Sequence, residues 1–527
     1  MYHPHPSGVV YFSHRLASNS QVFIFYCIYL HHSIPRESEK LQKHPSMADC
    51  PQRKRKLAMP IIFIHILLLS LNLISSPTNA EISAKVGVNY GQLGNNLPTP
   101  SDSIDLIKKL KAGRVKLYDA NPEILKALGN TNLQVSVMVP NEIIANISAN
   151  HSLAYQWIRT NVVPFYPKTK IRYVLVGNEI LSSQSLNSTV WPALVPAMRL
   201  IKHALKSFKI KNVKVGTTLA MDSLEASFPP SSGKFRSDIK STVMKPMLQF
   251  LNKTKSFLFV DVYPYFPWSS DPKNIKLDYA LFESKNFTYT DPKTNLKYTN
   301  LLDQMLDSFY FAMDKLGYSN VRLWIAETGW PNGCDYDQIG GNVFNAATYN
   351  RNVVKRLSSK PPIGTPAKPN VVLPTFLFSL YNENLKGGPS TERNWGLYYP
   401  NGTSIYEIEL NGESPETKLT DLPAPENNEP FTGKIWCVAA KDANLTALGD
   451  ALTYACGQGN QTCDRIQPGR ACFKPNSLKR RASFAFSSYW SQFKKAGGTC
   501  YFNGLAVQTI KDPSYGRCKY PSVTLTG

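Results

Sequence analysis

Histidine is scarce over most of this 527-residue chain. Seven of the nine histidines fall in the first 80 residues, and only His151 and His203 follow. A metal site built from several histidines and a Ser-His-Asp triad therefore have almost no candidate residues downstream. We expect neither a metal nor another cofactor, and carboxylates become the better candidates for any chemistry.

Three other signals are missing. No Cys-X2-Cys pair is present, which disfavours zinc binding. The turn after the first predicted strand reads Asn89-Tyr90-Gly91-Gln92, which is not the glycine-rich phosphate turn of a doubly wound nucleotide-binding sheet. The apolar run at residues 61–73 is shorter than the roughly 20 residues that a membrane span needs.

Residues 47–80 have the pattern of a secretory signal peptide. A basic cluster at 53–56 precedes the apolar run, and Thr78-Asn79-Ala80 offers a small-residue cleavage site. A signal anchor is the alternative. Because such signals begin near the N terminus, we expect translation to start at Met47 and residues 1–46 to be a non-native extension.

The composition agrees with secretion. The formal net charge of +22 suits an acidic or polyanionic setting, and a secreted chain rarely meets nucleic acid, so we expect no nucleic-acid partner. Glycosylation sequons begin at Asn146, Asn150, Asn187, Asn252, Asn286, Asn401, Asn444 and Asn460.

The chain divides at residues 411–430, which contain four prolines and no aromatic residue and are predicted to form a linker. Residues 81–410 form a large domain with a single cysteine, Cys334. Residues 431–527 contain six cysteines, a density typical of a disulfide-stapled module. Spacing alone leaves 15 possible pairings among six cysteines. We expect the linker to be a semi-rigid spacer with few contacts to either domain.

The large domain alternates short apolar, β-branched runs with helix-length segments. Thr99 is a predicted helix cap followed by Pro100, and a second helix is predicted over 299–316, ended by Gly317. The eight candidate strands are 86–89, 115–118, 135–139, 173–176, 213–217, 257–262, 321–326 and 375–380. This pattern predicts an α/β fold, a (β/α)8 TIM barrel, with a doubly wound open sheet as the competitor.

Carboxylates follow several of these strands. Glu179 comes after Asn178 at the end of strand four, and Glu327 ends strand seven shortly before Trp330. A carboxylate after an apolar strand is costly unless it faces a polar cavity, although one such residue could simply cap a helix or pair with a lysine. Two acids at strand ends of one barrel favour glycosidic cleavage, which needs a proton donor and a nucleophile or base.

Residues 86–410 resemble the plant endo-1,3-β-glucanases, family 17 of the glycoside hydrolases. The matching motifs are Val86-Gly87-Val88-Asn89-Tyr90-Gly91, Val176-Gly177-Asn178-Glu179, Tyr263-Pro264-Tyr265-Phe266, Ala326-Glu327-Thr328-Gly329-Trp330-Pro331 and Asn382-Glu383-Asn384-Leu385-Lys386. The resemblance implies a (β/α)8 barrel that hydrolyses internal β-1,3 bonds with retention.

The same resemblance implies roles for individual residues. Glu179 would be the acid/base and Glu327 the nucleophile. The substrate-binding residues would be Tyr90, Asn178, Tyr263, Trp330, Glu383, Lys386 and Glu392, with Tyr265, Phe266 and Trp268 adding aromatic lining. Two positions depart from the family pattern: Asp261 stands where the family often has asparagine, and Cys334 where it usually has a small residue without a thiol.

The chemistry sets requirements on the two glutamates. A general acid needs a raised pKa, and repulsion by the negative nucleophile would raise the pKa of Glu179. Glu327 must stay ionised, which hydrogen bonds from tyrosine hydroxyls would assist. Asn178 is placed to contact a sugar 2-hydroxyl.

Residues 431–527 resemble the plant six-cysteine callose-binding module, family 43 of the carbohydrate-binding modules. The matching segments include Trp436-Cys437-Val438-Ala439 and Ala455-Cys456-Gly457-Gln458-Gly459. The resemblance implies the pairs Cys437–Cys500, Cys456–Cys463 and Cys472–Cys518, and binding to β-1,3-glucan. Tyr489 and Trp490 are candidate stacking residues, and an inert folding appendage is the alternative.

Together these observations predict a secreted endo-hydrolase of callose-type β-1,3-glucan. We expect a monomer in the cell wall or at plasmodesmata, without a glycolipid anchor or other stable membrane anchor. A non-catalytic callose-binding wall protein and a β-1,3-glucan transglycosylase remain as alternatives.

Overall fold

The computed structural model describes residues 85–186, 189–286, 288–413 and 419–526. The predicted extension at 1–46, the predicted signal peptide at 47–80 and the sequon at Asn187 lie outside these residues. In the described ranges, no helix combines the length and the apolar character needed to cross a bilayer.

Eight parallel strands close into a barrel in which each strand pairs with its neighbour in sequence and the last pairs with the first. The (β/α)8 prediction is confirmed, and every predicted strand overlaps an observed one. The strands are β1 Gly87–Tyr90, β2 Arg114–Leu117, β3 Gln134–Val139, β4 Lys170–Asn178, β5 Lys214–Ala220, β6 Phe257–Asp261, β7 Arg322–Thr328 and β8 Thr375–Leu377.

Helices surround this barrel and its loops. They are Pro100–Lys109, Pro122–Ala127, Ile144–Ala149, His151–Asn161, Trp191–Ser207, Ser237–Ile239, Lys245–Thr254, Tyr265–Ser270, Leu277–Ala280, Leu301–Asp314 and Val343–Leu357. Three small hairpins pair Leu224–Ala226 with Lys234–Phe235, Tyr289–Thr290 with Lys297–Tyr298, and Gly364–Thr365 with Lys368–Pro369.

Both predicted helices are present, and the second is shorter than predicted. Thr99 caps the first helix, its hydroxyl accepting from the Asp102 backbone N–H at 3.3 Å. The helix predicted over 299–316 spans Leu301–Asp314, and Asn300 caps it by accepting a hydrogen bond from the Asp303 N–H. Gly317 follows with φ of +80°, a conformation that glycine adopts without steric cost.

The barrel interior is a packed aromatic layer rather than a channel. Phe257, Phe259, Trp324 and Phe376 fill it together with Leu175, and the Trp324 and Phe376 rings stack with centroids 5.8 Å apart. This layer forms the floor above which the carboxyl ends of the strands gather.

An extra residue in β7 determines where Glu327 points. Ile325 pairs with Val260, whereas Glu327 pairs with Asp261. Two residues of β7 therefore lie opposite one residue of β6. Such a bulge interrupts the alternation of side chains and re-aims the next one. Glu327 can therefore share the inner face with Trp324, three positions earlier.

The C-terminal module is a small sheet with two helices. Strands β9 Thr432–Ala439, β10 Ala506–Thr509 and β11 Val523–Thr526 form the antiparallel sheet, and the helices are Leu445–Cys456 and Leu478–Phe493. The structure contains the disulfides Cys437–Cys500, Cys456–Cys463 and Cys472–Cys518, the pairs that the resemblance implied.

Two parts of the linker are described, residues 411–413 and 419–430, and the second is not a free spacer. The Asn342 side chain donates to the Asn428 side chain at 3.0 Å, the Asn345 side chain donates to it at 2.7 Å, and the Gly340 N–H donates to the Asn427 carbonyl at 2.7 Å. The expectation of few contacts was wrong for this stretch, because its amide side chains and backbone satisfy polar groups of the barrel loops.

Candidate active site

Glu327 is the centre of a hydrogen-bond network above the aromatic floor. Its Oε1 accepts from Lys116 Nζ at 2.5 Å and from the Tyr118 hydroxyl at 2.6 Å, and its Oε2 accepts from the Tyr263 hydroxyl at 2.7 Å. These partners come from β2, the residue after β2 and the loop after β6. Glu327 itself is only 6% exposed.

This network favours the ionised form of Glu327. Burial alone would raise the pKa of its carboxyl, but the charge and hydrogen bond of Lys116 and the two tyrosine hydroxyls outweigh burial and lower that pKa. The hydrogen bonds from tyrosine hydroxyls match the requirement stated from the sequence.

The pKa of the Glu179 carboxyl shifts in the opposite direction. It follows β4 directly in a left-handed conformation with φ of +47°, after Gly177 with φ of +78°. Burial, followed by the negative charge of Glu327, raises the pKa of the Glu179 carboxyl well above its usual range. Two carboxyls that influence one another thus have environments that push their pKa values apart.

Asn178 is held in place beside Glu179. The Thr218 hydroxyl donates to its side-chain oxygen at 2.9 Å, and its backbone N–H and carbonyl bond to the Asn141 side chain at 2.8 and 3.0 Å. These contacts leave the amino group of the Asn178 side chain as a donor for a substrate hydroxyl.

The loop after β8 brings a second charged cluster to the site. Lys386 Nζ lies 3.8 Å from Glu392 Oε2 and 4.1 Å from the centre of the Phe378 ring. Glu383 Oε1 accepts from the Leu93 N–H at 2.7 Å. Burial raises the pKa of both Glu383 and Glu392, and the charge of Lys386 opposes this.

Gly91 makes room for this cluster. A Cβ at position 91 would lie 2.4 Å from Glu383 Oε1, closer than real contacts allow. The glycine of the first family motif therefore permits the close approach of the backbone to a buried carboxylate.

The predicted aromatic lining separates into exposed and buried members. Phe266 is 42% exposed and Tyr263 is half-buried, whereas Tyr265, Trp268 and Trp330 are buried. The Trp330 indole N–H donates to the Gly340 carbonyl at 2.8 Å. Trp330 therefore lies behind the site as support rather than at its surface. Tyr90 is likewise only 3% exposed.

Sequence reasoning missed Lys116, Tyr118, Asn89 and Trp395. Asn89 Nδ2 donates to the Ala326 carbonyl and to the Tyr118 hydroxyl, and Trp395 packs against Tyr263 with ring centroids 5.0 Å apart. For Lys116 a signal existed, since a lysine inside the otherwise apolar run Val115-Lys116-Leu117 needs a buried partner.

The two departures from the family pattern differ in character. Asp261 is 2% exposed, and neither carboxyl oxygen has a partner at good hydrogen-bond geometry among the described residues, although the Thr218 side chain acts to lower its pKa. Burial and the charge of Glu327 raise its pKa well above the usual range. Cys334 Sγ accepts from the Asn427 side chain at 3.2 Å, and burial raises the pKa of its thiol to about 12.

The arrangement can perform carboxyl-based chemistry. A carboxyl group with a lowered pKa, Glu327, and one with a raised pKa, Glu179, lie at the carboxyl ends of the barrel strands beside the amide donor of Asn178. Glycosidic cleavage uses such a set of groups. Within the described ranges, no cluster of three or more histidine, cysteine, aspartate or glutamate residues is placed to hold a metal ion.

Comparison with family models identifies both parts of the chain. The model for glycosyl hydrolases family 17 matches residues 86–410, and the model for the X8 domain matches residues 435–507.

Curated proteins match across both parts. The probable glucan endo-1,3-beta-glucosidase A6 of Arabidopsis thaliana is 54% identical over 448 residues, which cover 85% of this chain and 93% of that protein. The glucan endo-1,3-beta-D-glucosidase of Olea europaea is 36% identical over 462 residues, covering 87% and 97% respectively.

Solved structures match a smaller share of the chain. CJP38, a beta-1,3-glucanase and allergen of Cryptomeria japonica pollen, aligns with a TM-score of 0.58 and 38% identity, covering 62% of this chain and 99% of its own. A plant beta-glucan endohydrolase aligns with a TM-score of 0.56 and 34% identity, covering 62% of this chain and 100% of its own.

Proposed function

Because this chain belongs to family 17 of the glycosyl hydrolases, we propose that it cleaves internal 1,3-β-glucosidic bonds of callose-type β-1,3-glucan with retention of configuration. It is a glycoside hydrolase with an appended X8 domain. Its relatives in Arabidopsis thaliana and Olea europaea are named glucan endo-1,3-beta-glucosidases, which supports the choice of bond.

One observation carries the proposal: the buried Glu327 carboxyl accepts hydrogen bonds from Lys116, Tyr118 and Tyr263, while its negative charge helps to raise the pKa of Glu179. A retaining glycosidase needs a protonated acid and an ionised nucleophile at the same pH. Lys116, Tyr118 and Tyr263 hold Glu327 in the second state, and burial near that charge holds Glu179 in the first.

The reaction then follows two steps. In the first, Glu327 attacks the anomeric carbon while Glu179 gives its proton to the leaving glycosidic oxygen, which forms a glycosyl ester and frees one end of the chain. In the second, Glu179 takes a proton from water, which attacks the same carbon and releases Glu327. Asn178 would donate to the 2-hydroxyl, where hydrogen bonds strengthen in the transition state.

Secretion to the cell wall or to plasmodesmata is part of the proposal. Three disulfides in the module favour an oxidising compartment, and the basic and apolar pattern at 47–80 supports export. The X8 domain would bind β-1,3-glucan and raise the local concentration of the barrel on insoluble polymer.

The test uses a linear β-1,3-glucan and defined laminari-oligosaccharides. We expect internal cleavage, with NMR showing the β-anomer as the first product. An α-anomer would refute the nucleophile role of Glu327. No cleavage, with glucan binding retained, would favour a non-catalytic wall protein, and products longer than the substrate would reveal transglycosylation.

A further inference from the structure

The C-terminal module contacts the barrel at the loop that carries the auxiliary charged cluster. This segment, residues 382–395, is called the β8 loop below. The Tyr501 ring of the module lies 3.5 Å from the guanidinium carbon of Arg393, measured to the ring centre, and the Tyr501 hydroxyl donates to the Asn384 carbonyl. Both residues contacted belong to the β8 loop.

Arg393 organises the β8 loop from within. Its Nη1 donates to the carbonyls of Lys386 and Gly388, each at 3.1 Å. Its own carbonyl accepts from the Glu383 N–H at 3.2 Å. Arg393 therefore holds together the backbone at residues 383, 386 and 388. Two of these residues, Glu383 and Lys386, belong to the charged cluster.

A second pair of contacts joins the module to the loop after β7. Asp337 accepts from Gln508 Nε2 at 2.8 Å and pairs with Lys494 Nζ at 2.8 Å. The two barrel loops are linked in turn, because the Asp335 N–H donates to the Ser390 hydroxyl at 2.6 Å. The module thus contacts the loop after β7, the strand that carries Glu327, and the β8 loop.

Tyr501 is anchored on its own side of the contact. It follows Cys500, which is bonded to Cys437 in the central strand β9. Ser487 donates to the Cys437 carbonyl at 2.7 Å, so the strand is held against the helix Leu478–Phe493. The ring that stacks on Arg393 is therefore connected to the core of the module.

We propose that the module is a structural wall of the active site, in which Tyr501 is a positioning residue that holds the β8 loop through Arg393. The inference rests on the proposed function, since it concerns the cleft that cleaves β-1,3-glucan. According to this inference, the module affects catalysis in the barrel as well as binding to the polymer.

A physical reason connects the loop to catalysis. Long surface loops sample open conformations unless packing or hydrogen bonds hold them. Burial and Glu327 are the main causes of the raised pKa of Glu179, and the charge of Glu392 adds to them. A β8 loop that moves outward would carry the charge of Glu392 away from Glu179, and the pKa of Glu179 would fall.

The experiment compares full-length wild type with Tyr501→Ala on short soluble laminari-oligosaccharides, on which tethering to polymer has no effect. Losing the guanidinium–ring contact and the hydrogen bond should lower kcat/KM about tenfold, mainly through kcat. The alkaline limb of the kcat profile should move to lower pH, a shift that loss of folded protein alone would not cause.

Matched variants separate the contact from general damage. Tyr501→Phe keeps the ring over Arg393 and should retain most of the rate. Tyr454→Ala removes an exposed tyrosine from the helix Leu445–Cys456 and should leave the rate and pH profile on soluble substrate unchanged. In a double-mutant cycle, Arg393→Ala and Tyr501→Ala should be non-additive, because one acts through the other.

The outcomes distinguish this inference from the proposed function. An inactive wild type would refute the proposed function. The wild type could be active while Tyr501→Ala keeps the same kcat/KM and pH profile on soluble substrate and loses rate only on insoluble glucan. That result would refute a role of the module in the active site and would mean that the module only binds the barrel to the polymer. Additive effects of Arg393→Ala and Tyr501→Ala would refute the route through Arg393.

Discussion

Lys116 Nζ and Glu327 Oε1 lie 2.5 Å apart, with 0% and 7% of the two side chains exposed. The pair lies between the aromatic floor of the barrel and the cleft. An ionised carboxylate is costly to bury, and a lysine at hydrogen-bond distance makes that state tolerable. The charge of the proposed nucleophile therefore depends on a residue of the second strand.

Lys116→Met should move the acidic limb of the pH–rate profile upward. Without the cation, burial of Glu327 is opposed only by the two tyrosine hydroxyls, so the pKa of its carboxyl rises and the ionised fraction at mildly acidic pH falls. An upward shift of roughly one to three pH units in kcat/KM is expected. Lys116→Arg is the control that keeps the charge; an unmoved limb in the Met variant would contradict the assignment.

Glu179→Gln should remove general acid catalysis and leave the nucleophile. On glucan, kcat should drop about 10²- to 10⁴-fold. Aryl glucosides with good leaving groups need less protonation and should lose much less. The alkaline limb of kcat should vanish, because Glu179 has the raised pKa. Glu327→Gln should lose activity on both substrates, and equal losses in the two variants would disprove the division of roles.

Asp261→Asn should stabilise the fold increasingly as pH rises. Burial raises the folded-state pKa of Asp261, so native protein keeps a proton that the unfolded chain releases above about pH 4. Wild-type stability from this residue is full below that pH and is lost as pH rises toward the folded pKa. The stability gain of the variant should grow by up to about 1.4 kcal/mol per pH unit in this window.

Denaturant unfolding at several pH values checks the Asp261 prediction. The same substitution at the exposed Asp421 is the matched control for the loss of one carboxylate at the surface. The variant could instead lose stability by the same amount at all pH values. That result would mean that an interaction of Asp261 stabilises the fold by more than the burial of its carboxyl destabilises it.

Removal of the Cys437–Cys500 bond by paired serine substitution should destabilise the module more than removal of Cys456–Cys463. The bonds span 63 and 7 residues, and in the chain-entropy model the longer loop gives about 2 kcal/mol more stabilisation. Two-probe thermal unfolding should show the module transition falling while the barrel transition stays. The Cys437–Cys500 variant should also repeat the Tyr501→Ala loss on soluble oligosaccharides.

Several features of the fold and site could be predicted because they depend on local pattern. The eight strands were visible as β-branched runs between helix signals, and the Thr99 cap needed only its neighbour Asp102. Glu179 and Glu327 could be found because each ends an apolar strand, where an acid is rare. Residues close together in sequence are sufficient to produce these features.

Other features could not be predicted, because their causes lie across the barrel. The bulge that turns Glu327 inward is defined by the pairing of β7 with its neighbours β6 and β8, which are distant in sequence. Trp330 and Phe266 belong to similar aromatic motifs, yet one is buried and the other is 42% exposed. Lys116 and Glu327 are 211 positions apart, so nothing local connects them.

By itself the sequence determined the barrel, the two glutamates and the six-cysteine module, since strand patterning, strand-end acids and cysteine density act within a few residues of one another. Only the tertiary structure decided the charge states of the glutamates, the orphaned carboxyl of Asp261 and the contact of Tyr501 with Arg393. Those properties come from burial and from charges at short distances in space, and both exist only once the chain has closed on itself.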